Sequence, residues 1–115
     1  MPLEDSLDRN VTALKTFWDR RSFHDMALES IERCNGRVLV KLDEYILALA
    51  GTKGFTQTID EFPTSWISHV IEGDSKLAKL TVCVELGNFE CKFTNLRLIR
   101  RSDYAILVPA VDPIR

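Results

Sequence analysis

Apolar positions recur every three or four residues at the start of the chain and every second residue through most of the remainder. Leu3, Leu7, Val11, Leu14 and Trp18 fall on one stripe of a helix spanning residues 3–20, and Phe17 widens it. Glu4, Asp5 and Asp8 lie at the positive end of that helix's dipole, and Arg20 and Arg21 at the negative end. Ser6 offers an alternative N-cap, with the helix then beginning at Leu7. Past Ser22 the period falls to two. Asn35-Gly36 favours a type I′ turn, which needs positive φ at both central residues. It joins residues 26–34 to residues 37–42 as a hairpin. Val38, Val40 and Leu42 share one face of the second arm. In the first arm Ile31 is out of phase with Met26 and Leu28, and a bulge between Leu28 and Ile31 restores the phase.

Residues 42–51 fit either a short helix closed by Gly51 or a strand continuing past a kink at Asp43-Glu44, and the strand is preferred. Residues 51–65, with Gly51, Gly54, Pro63 and several threonines, predict the longest loop. A meander begins at Trp66: strand 66–72, turn 73–75, strand 77–86, a turn at Gly87-Asn88, strand 89–101, a turn at Ser102-Asp103 and a last strand 104–111. A Gly87-Asn88 turn sets Leu86 opposite Phe89, Val84 opposite Cys91 and Val82 opposite Phe93, all apolar on one face. It also sets Glu85 against Glu90, with Lys92 on the diagonal to offset the repulsion. Cys91 then points to the core and Cys83 away, which excludes a disulfide between them. Leu96 and Leu98 are out of phase with Phe93, so a bulge or twist is expected near Thr94-Asn95. Pro109 cannot donate a ladder hydrogen bond, which makes the last strand an edge. The expectation is a single α+β domain over residues 1–115. The helix 3–20 packs on a curved, mostly antiparallel sheet of about six strands within 23–111, for which a partly open barrel is a natural geometry.

Composition narrows the function classes. The chain has 115 residues, 45% hydrophobic and 28% charged, an ordinary balance for one globular domain. Fifteen basic against seventeen acidic residues leave a net charge of -2, which disfavours a nucleic-acid partner. The start carries no basic segment followed by an apolar run, and the longest apolar stretches, 45–50 and 104–111, fall far short of the ~20 residues that span a bilayer. A cytoplasmic protein without membrane contact is therefore expected. Cys34, Cys83 and Cys91, with no CxxC spacing, then read as free thiols. Asn10-Val11-Thr12 matches a glycosylation sequon, which has no meaning without secretion.

No catalytic constellation stands out. His24-Asp25 has the chemistry of a base and its orienting carboxylate. Adjacent strand residues point to opposite faces, so a structural role, bonding to a turn or the helix end, is expected instead. His69 shares a face with Ile67 and Ile71 and reads as a half-buried, satisfied histidine. No two histidines or cysteines have close ligand spacing, so no metal is expected. Cys83 lies on the strand beside His69, but no cysteine-enzyme signature surrounds it. A glycine-rich phosphate loop, GxSxG and HExxH are all absent, and no cofactor is expected. The pairs Asp43-Glu44 and Asp60-Glu61 read as solvated loop charge. Lys92, Arg97, Arg100 and Arg101 form a basic stripe that suits RNA or an acidic partner, or simply a charged edge that resists aggregation.

The stretch from Trp18 through Phe23-His24-Asp25-Met26-Ala27-Leu28 to Ile31 resembles the "W…FHDA…I" opening of small bacterial immunity-type proteins of polymorphic toxin systems, with Met26 where that family has alanine. Phe93-Thr94-Asn95-Leu96-Arg97-Leu98 is similar to a strand near the end of the same proteins. The resemblance implies a mostly antiparallel sheet and a non-enzymatic protein that neutralises a toxin by binding it. Within it Trp18, Phe23, His24 and Asp25 look like fold determinants. The expected contact surface is the loop before Trp66, with Asp60, Glu61, Phe62 and an exposed Trp66, since exposed aromatics flanked by charge suit an interface. The expected partner is a protein, a toxin domain if the resemblance holds, and the chain itself is a monomer or homodimer. The alternative is a small-molecule-binding domain or small enzyme with a pocket between helix and sheet, lined by Tyr45, His69 and Trp66.

Overall fold

The computed structural model describes residues 7–73 and 76–108. Helix α1 (Leu7–Arg20) buries Leu7, Leu14 and Trp18, the expected stripe, with Val11 and Phe17 partly covered. The expected first turn, with Leu3 and Ser6, lies outside the described residues. Asn10, not anticipated in the stripe, is also buried. Its Nδ2 donates to Asn95 Oδ1 at 2.7 Å and toward the Leu96 carbonyl at 3.5 Å, which ties the helix to the sheet.

The sheet has nine described strands: β1 (Ala27–Cys34), β2 (Arg37–Leu42), β3 (Tyr45–Ala50), β4 (Lys53–Gln57), β5 (Thr64–Gly73), β6 (Ala78–Val84), β7 (Gly87–Phe93), β8 (Asn95–Arg100) and β9 (Ile106–Val108). Their order is β4-β7-β6-β5-β1-β2-β3-β8-β9, every pairing is antiparallel, and the sheet is open. One helix on a curved antiparallel sheet is the α+β architecture the sequence predicts. The first hairpin also forms as expected. Asn35 and Gly36 take φ of 48° and 77°, and the β1–β2 register shifts between Leu28 and Ser30, where the bulge is required.

Nine strands replace the expected six or so for three reasons. Asp43-Glu44 is a reversal rather than a kink, so β3 returns beside β2 with Val40 opposite Leu47. Residues 53–57, expected inside a loop, pair with β7 as β4. The expected strand 89–101 breaks at Thr94, where β7 ends its ladder with β6 and β8 begins one with β3. Thr94 sits against Gly51, so closely that an added Cβ there would meet its Oγ1 at 2.0 Å. Two continuous stretches, β3–β4 and β7–β8, thus bend together from one part of the sheet to the other.

The β6–β7 turn falls at Glu85-Leu86 and not at Gly87-Asn88. Val84 faces Gly87, Val82 faces Phe89 and Leu80 faces Cys91. Three contacts fix this register. The amide of Glu85 donates to the Ser65 carbonyl at 2.9 Å, and that of Leu86 to Thr64 Oγ1 at 3.1 Å. Gly87, at φ 148°, lies under the chain at Thr58-Ile59, where a Cβ would come within 2.8 Å of the Thr58 carbonyl oxygen. The turn moves back by two residues and each partner changes by four places, an even number, so the alternation survives. Val82, Val84, Phe89, Cys91 and Phe93 face inward and Cys83 outward, as expected, whereas Leu86 is exposed and Glu90 stands opposite Thr81 rather than Glu85.

The inward faces of both parts of the sheet meet the helix stripe in one core. Leu28, Val40, Leu47, Leu80, Phe93 and Leu98 are completely buried there. β9 pairs only with β8 and is an edge, while Pro109 lies outside the described residues, as do Asp74 and Ser75 of the expected 73–75 turn. No described helix is long and apolar enough to cross a membrane.

Candidate functional site

The segment between α1 and β1 forms an aromatic corner. Asp25 adopts φ 70°, which lets its amide donate to the Trp66 carbonyl at 2.8 Å while the Trp66 amide donates to the Met26 carbonyl at 3.0 Å. The Phe23 side chain is thereby driven under the helix, completely buried. Its ring stacks on Tyr45 with centroids 5.4 Å apart and meets Trp18 and Trp66 edge-on at 5.5 and 5.2 Å. Each such pair adds about 0.5–1.5 kcal/mol beyond the area it buries. Trp18 and Phe23 therefore act through packing. The same rings fill the space in which a pocket lined by Tyr45 and Trp66 is expected.

His24 and Asp25 lie in a turn and not on a strand, so the alternation argument does not separate them. His24 Nε2 is 3.7 Å from Asp25 Oδ1, with both side chains well exposed to solvent. Its Nδ1 stands 3.2 Å from the Ile67 carbonyl, which can only accept, so Nδ1 carries the proton and donates. That bond ties the turn to β5, and the His24 amide donating to Ser22 Oγ at 3.0 Å closes the turn on itself.

A bulge in β5 between Trp66 and Ser68 places Trp66 and His69 on the same inward face and turns Ile67 out to solvent. His69 accordingly shares its face with Trp66 and Ile71, not with Ile67. The Trp66 indole Nε1 donates to His69 Nδ1 at 2.9 Å, and the imidazole lies over Trp18 with centroids 3.7 Å apart. An accepting Nδ1 means a neutral ring protonated at Nε2. Burial pushes its pKa below the ordinary 6.5. The buried Trp18 indole N–H has no acceptor among the described residues. Cys83 stands opposite Ser68 and points outward, so the sheet separates its thiol from the inward imidazole. Among the described residues no three His, Cys, Asp or Glu side chains converge as metal ligands.

The expected contact residues separate. Trp66 is completely buried and has no face to offer a partner, which corrects its assignment to an exposed surface. Asp60, Glu61 and Phe62 are exposed, on the loop between β4 and β5. That loop is anchored by the buried Ile59 and by Thr58, whose amide donates to the Asn88 carbonyl at 2.9 Å and whose Oγ1 accepts from the Asn88 amide at 3.1 Å. With the Leu86–Thr64 bond, these contacts bring the Glu85-Leu86 turn beside the loop. On these two neighbouring segments Asp60, Glu61, Phe62, Glu85 and Leu86 are all exposed, and their carboxylates make no ion pair among the described residues. Glu85 and Leu86 are not legible as neighbours of the loop from the sequence, where Gly87-Asn88 is the stronger turn signal and leaves both on a strand.

The basic stripe divides as well. Arg100 pairs with Asp103 at 2.8 Å and holds that carboxyl at about 2, well below the usual carboxylate range. Arg101 pairs with Glu29 at 2.7 Å and donates to the Leu42 carbonyl, while Glu44 pairs with Arg21. Arg97 and Lys92 have no such partner among the described residues. Comparison with protein-family models, curated proteins and solved structures gives no match for this chain.

Proposed function

We propose that the chain is a non-enzymatic protein-binding domain that captures a basic partner on the surface formed by Asp60, Glu61, Phe62, Glu85 and Leu86. One observation carries this: a loop with three acidic neighbours and two exposed apolar side chains is pinned by hydrogen bonds at Thr58 and Thr64. A preformed surface loses less freedom on binding than a mobile one. Its carboxylates steer a basic partner, and Phe62 and Leu86 supply the area that desolvates on contact. The resemblance at Trp18 and Phe23-His24-Asp25 makes a toxin domain the natural partner, with the aromatic corner as scaffold.

The test is affinity capture from native lysate with tagged wild type and with the double variant Asp60→Lys/Glu61→Lys. One protein recovered at near-equimolar amount with wild type, and lost with the variant at unchanged thermal midpoint, supports the proposal. Equal recovery by both proteins, or no recovery at all, overturns it.

A further inference from the structure

A second surface lies at the Asn35-Gly36 turn and carries the opposite charge. The Thr52 amide donates to the Gly36 carbonyl at 2.9 Å, which brings the start of β4 against this turn. A cavity of about 470 Å³ opens there, lined in part by Arg33, Arg37, Lys53 and Phe55. Arg37 also lines an adjoining cavity of about 360 Å³, together with Arg97 and the small side chains of Ala48 and Ala50. Lys92 stands directly opposite Lys53 in the β4–β7 ladder. The Arg33 guanidinium is held over the Phe55 ring, 4.6 Å from its centroid.

None of these five cations is joined to a carboxylate among the described residues. Other cations of the sheet are: Lys41 pairs with Glu32 at 2.8 Å and Arg101 with Glu29 at 2.7 Å. Like charges set opposite each other on neighbouring strands destabilise a sheet. In a chain of net charge -2, a local excess of five positive groups is a departure that a bound anion would relieve.

We infer that these adjoining cavities bind a small ligand bearing a chain of phosphate groups. A single carboxylate neutralises one or two of the four cations that line the cavities, Arg33, Arg37, Lys53 and Arg97, whereas linked phosphates present several charges within a few ångströms. Guanidinium forks match phosphate oxygens two at a time, and Arg37 is placed to serve both cavities. The Phe55 ring is covered by Arg33, so the surface offers no free aromatic platform for a single strand's bases. The site shares no residue with the acidic surface and does not depend on it. A bare polyphosphate and a nucleoside triphosphate present the same chemistry.

The test is calorimetric titration of the whole chain with inorganic tripolyphosphate, with adenosine triphosphate and with a single-stranded uridine oligonucleotide. One-to-one binding of tripolyphosphate is expected, weakened by salt, and reduced about tenfold by Arg37→Ala or Lys53→Ala. Lys15→Ala, an exposed lysine on α1, leaves it unchanged. Equal affinity for both phosphate ligands identifies the phosphate chain as the recognised group, and tighter binding of adenosine triphosphate identifies a nucleotide. No binding at millimolar tripolyphosphate overturns the proposal. So does equal weakening by all three variants, which would signal a diffuse field, or oligonucleotide binding far tighter than either small ligand.

Discussion

Trp66 and the loop just before it look alike in sequence, each an aromatic among polar neighbours, yet they have opposite fates. Trp66 is wholly buried, touches Phe23, Trp18 and Phe89, and spends its indole N–H on His69. Phe62 is exposed, beside Asp60 and Glu61, on a loop held by its backbone. The difference comes from the flanking elements. Trp66 is paired on both sides, its backbone bonded to Met26 and Asp25 and its register set against Val84. The loop touches the core only through Ile59. A flat stretch of sequence thus divides into a stability element and a surface element.

Substitutions should separate the two regions by size of effect. Trp66→Ala is expected to cost about 3–5 kcal/mol, because a large ring leaves a cavity that its neighbours cannot close. Chemical denaturation would show this as a lower midpoint at unchanged slope, and a loss below about 1 kcal/mol would erase the contrast. Gly87→Ala should cost about 1–3 kcal/mol, since its φ suits glycine and its Cβ would press on Thr58. It should also shift the Asp60–Phe62 loop, visible as amide chemical-shift changes at residues 58–62. Retained shifts there would show that the loop is held without this contact.

His69 gives a smaller, pH-dependent effect within the buried corner. Its folded-state pKa lies below 6.5, so as pH falls the unfolded chain takes up the proton first. Its contribution to stability is complete above about pH 6.5 and declines below that value until the folded form also titrates. Thermal midpoints measured between pH 7.5 and 5 should fall less steeply in His69→Gln than in wild type; parallel curves would place this titration elsewhere. The smallest change belongs to the loop. Asp60→Lys, Glu61→Lys and Phe62→Ala should each alter stability by no more than about 0.5 kcal/mol. A larger loss in urea unfolding would move the loop from the surface class to the core.

Much of the fold is legible in the chain. The stripe of Leu7, Leu14 and Trp18 marks the helix, Asn35-Gly36 marks a turn whose geometry few other pairs allow, and the phase break at Ile31 marks a bulge. The inward placement of Phe89, Cys91 and Phe93 is also legible, because a slip that changes each partner by an even number of places leaves every side chain on its own face. For the same reason the slip itself is invisible to alternation. Gly87 reads as a turn residue, but the structure needs it where Thr58 and Ile59 cross close by. Lys53–Gln57 carries few apolar residues and pairs only at an edge, so no period reveals it. Of the candidate surface, the exposed acids and Phe62 could be read locally. Glu85 and Leu86 reach it through contacts distant in sequence, and Trp66 leaves it because of a bulge that no local signal announces.

The bent pair of strands has a consequence for how the chain reaches this state. The strands of β1–β2–β3 and of β5–β6–β7 follow one another within a few residues, so their contacts are local and cheap in loop entropy. The ladders that unite them link distant positions: β1 meets β5 at Leu28 and Thr64, and each meander takes up the strand that continues the other, β8 on β3 at Tyr45 and Arg100 and β4 on β7 at Lys53 and Lys92. Two meanders should therefore assemble early as separate units, and their docking along the bend should set the folding time. For a topology this rich in long-range pairing, that time is about milliseconds to seconds. Altering Gly51 or Thr94, at the bend, should slow folding, while altering the Asn35-Gly36 turn should change how readily one meander starts.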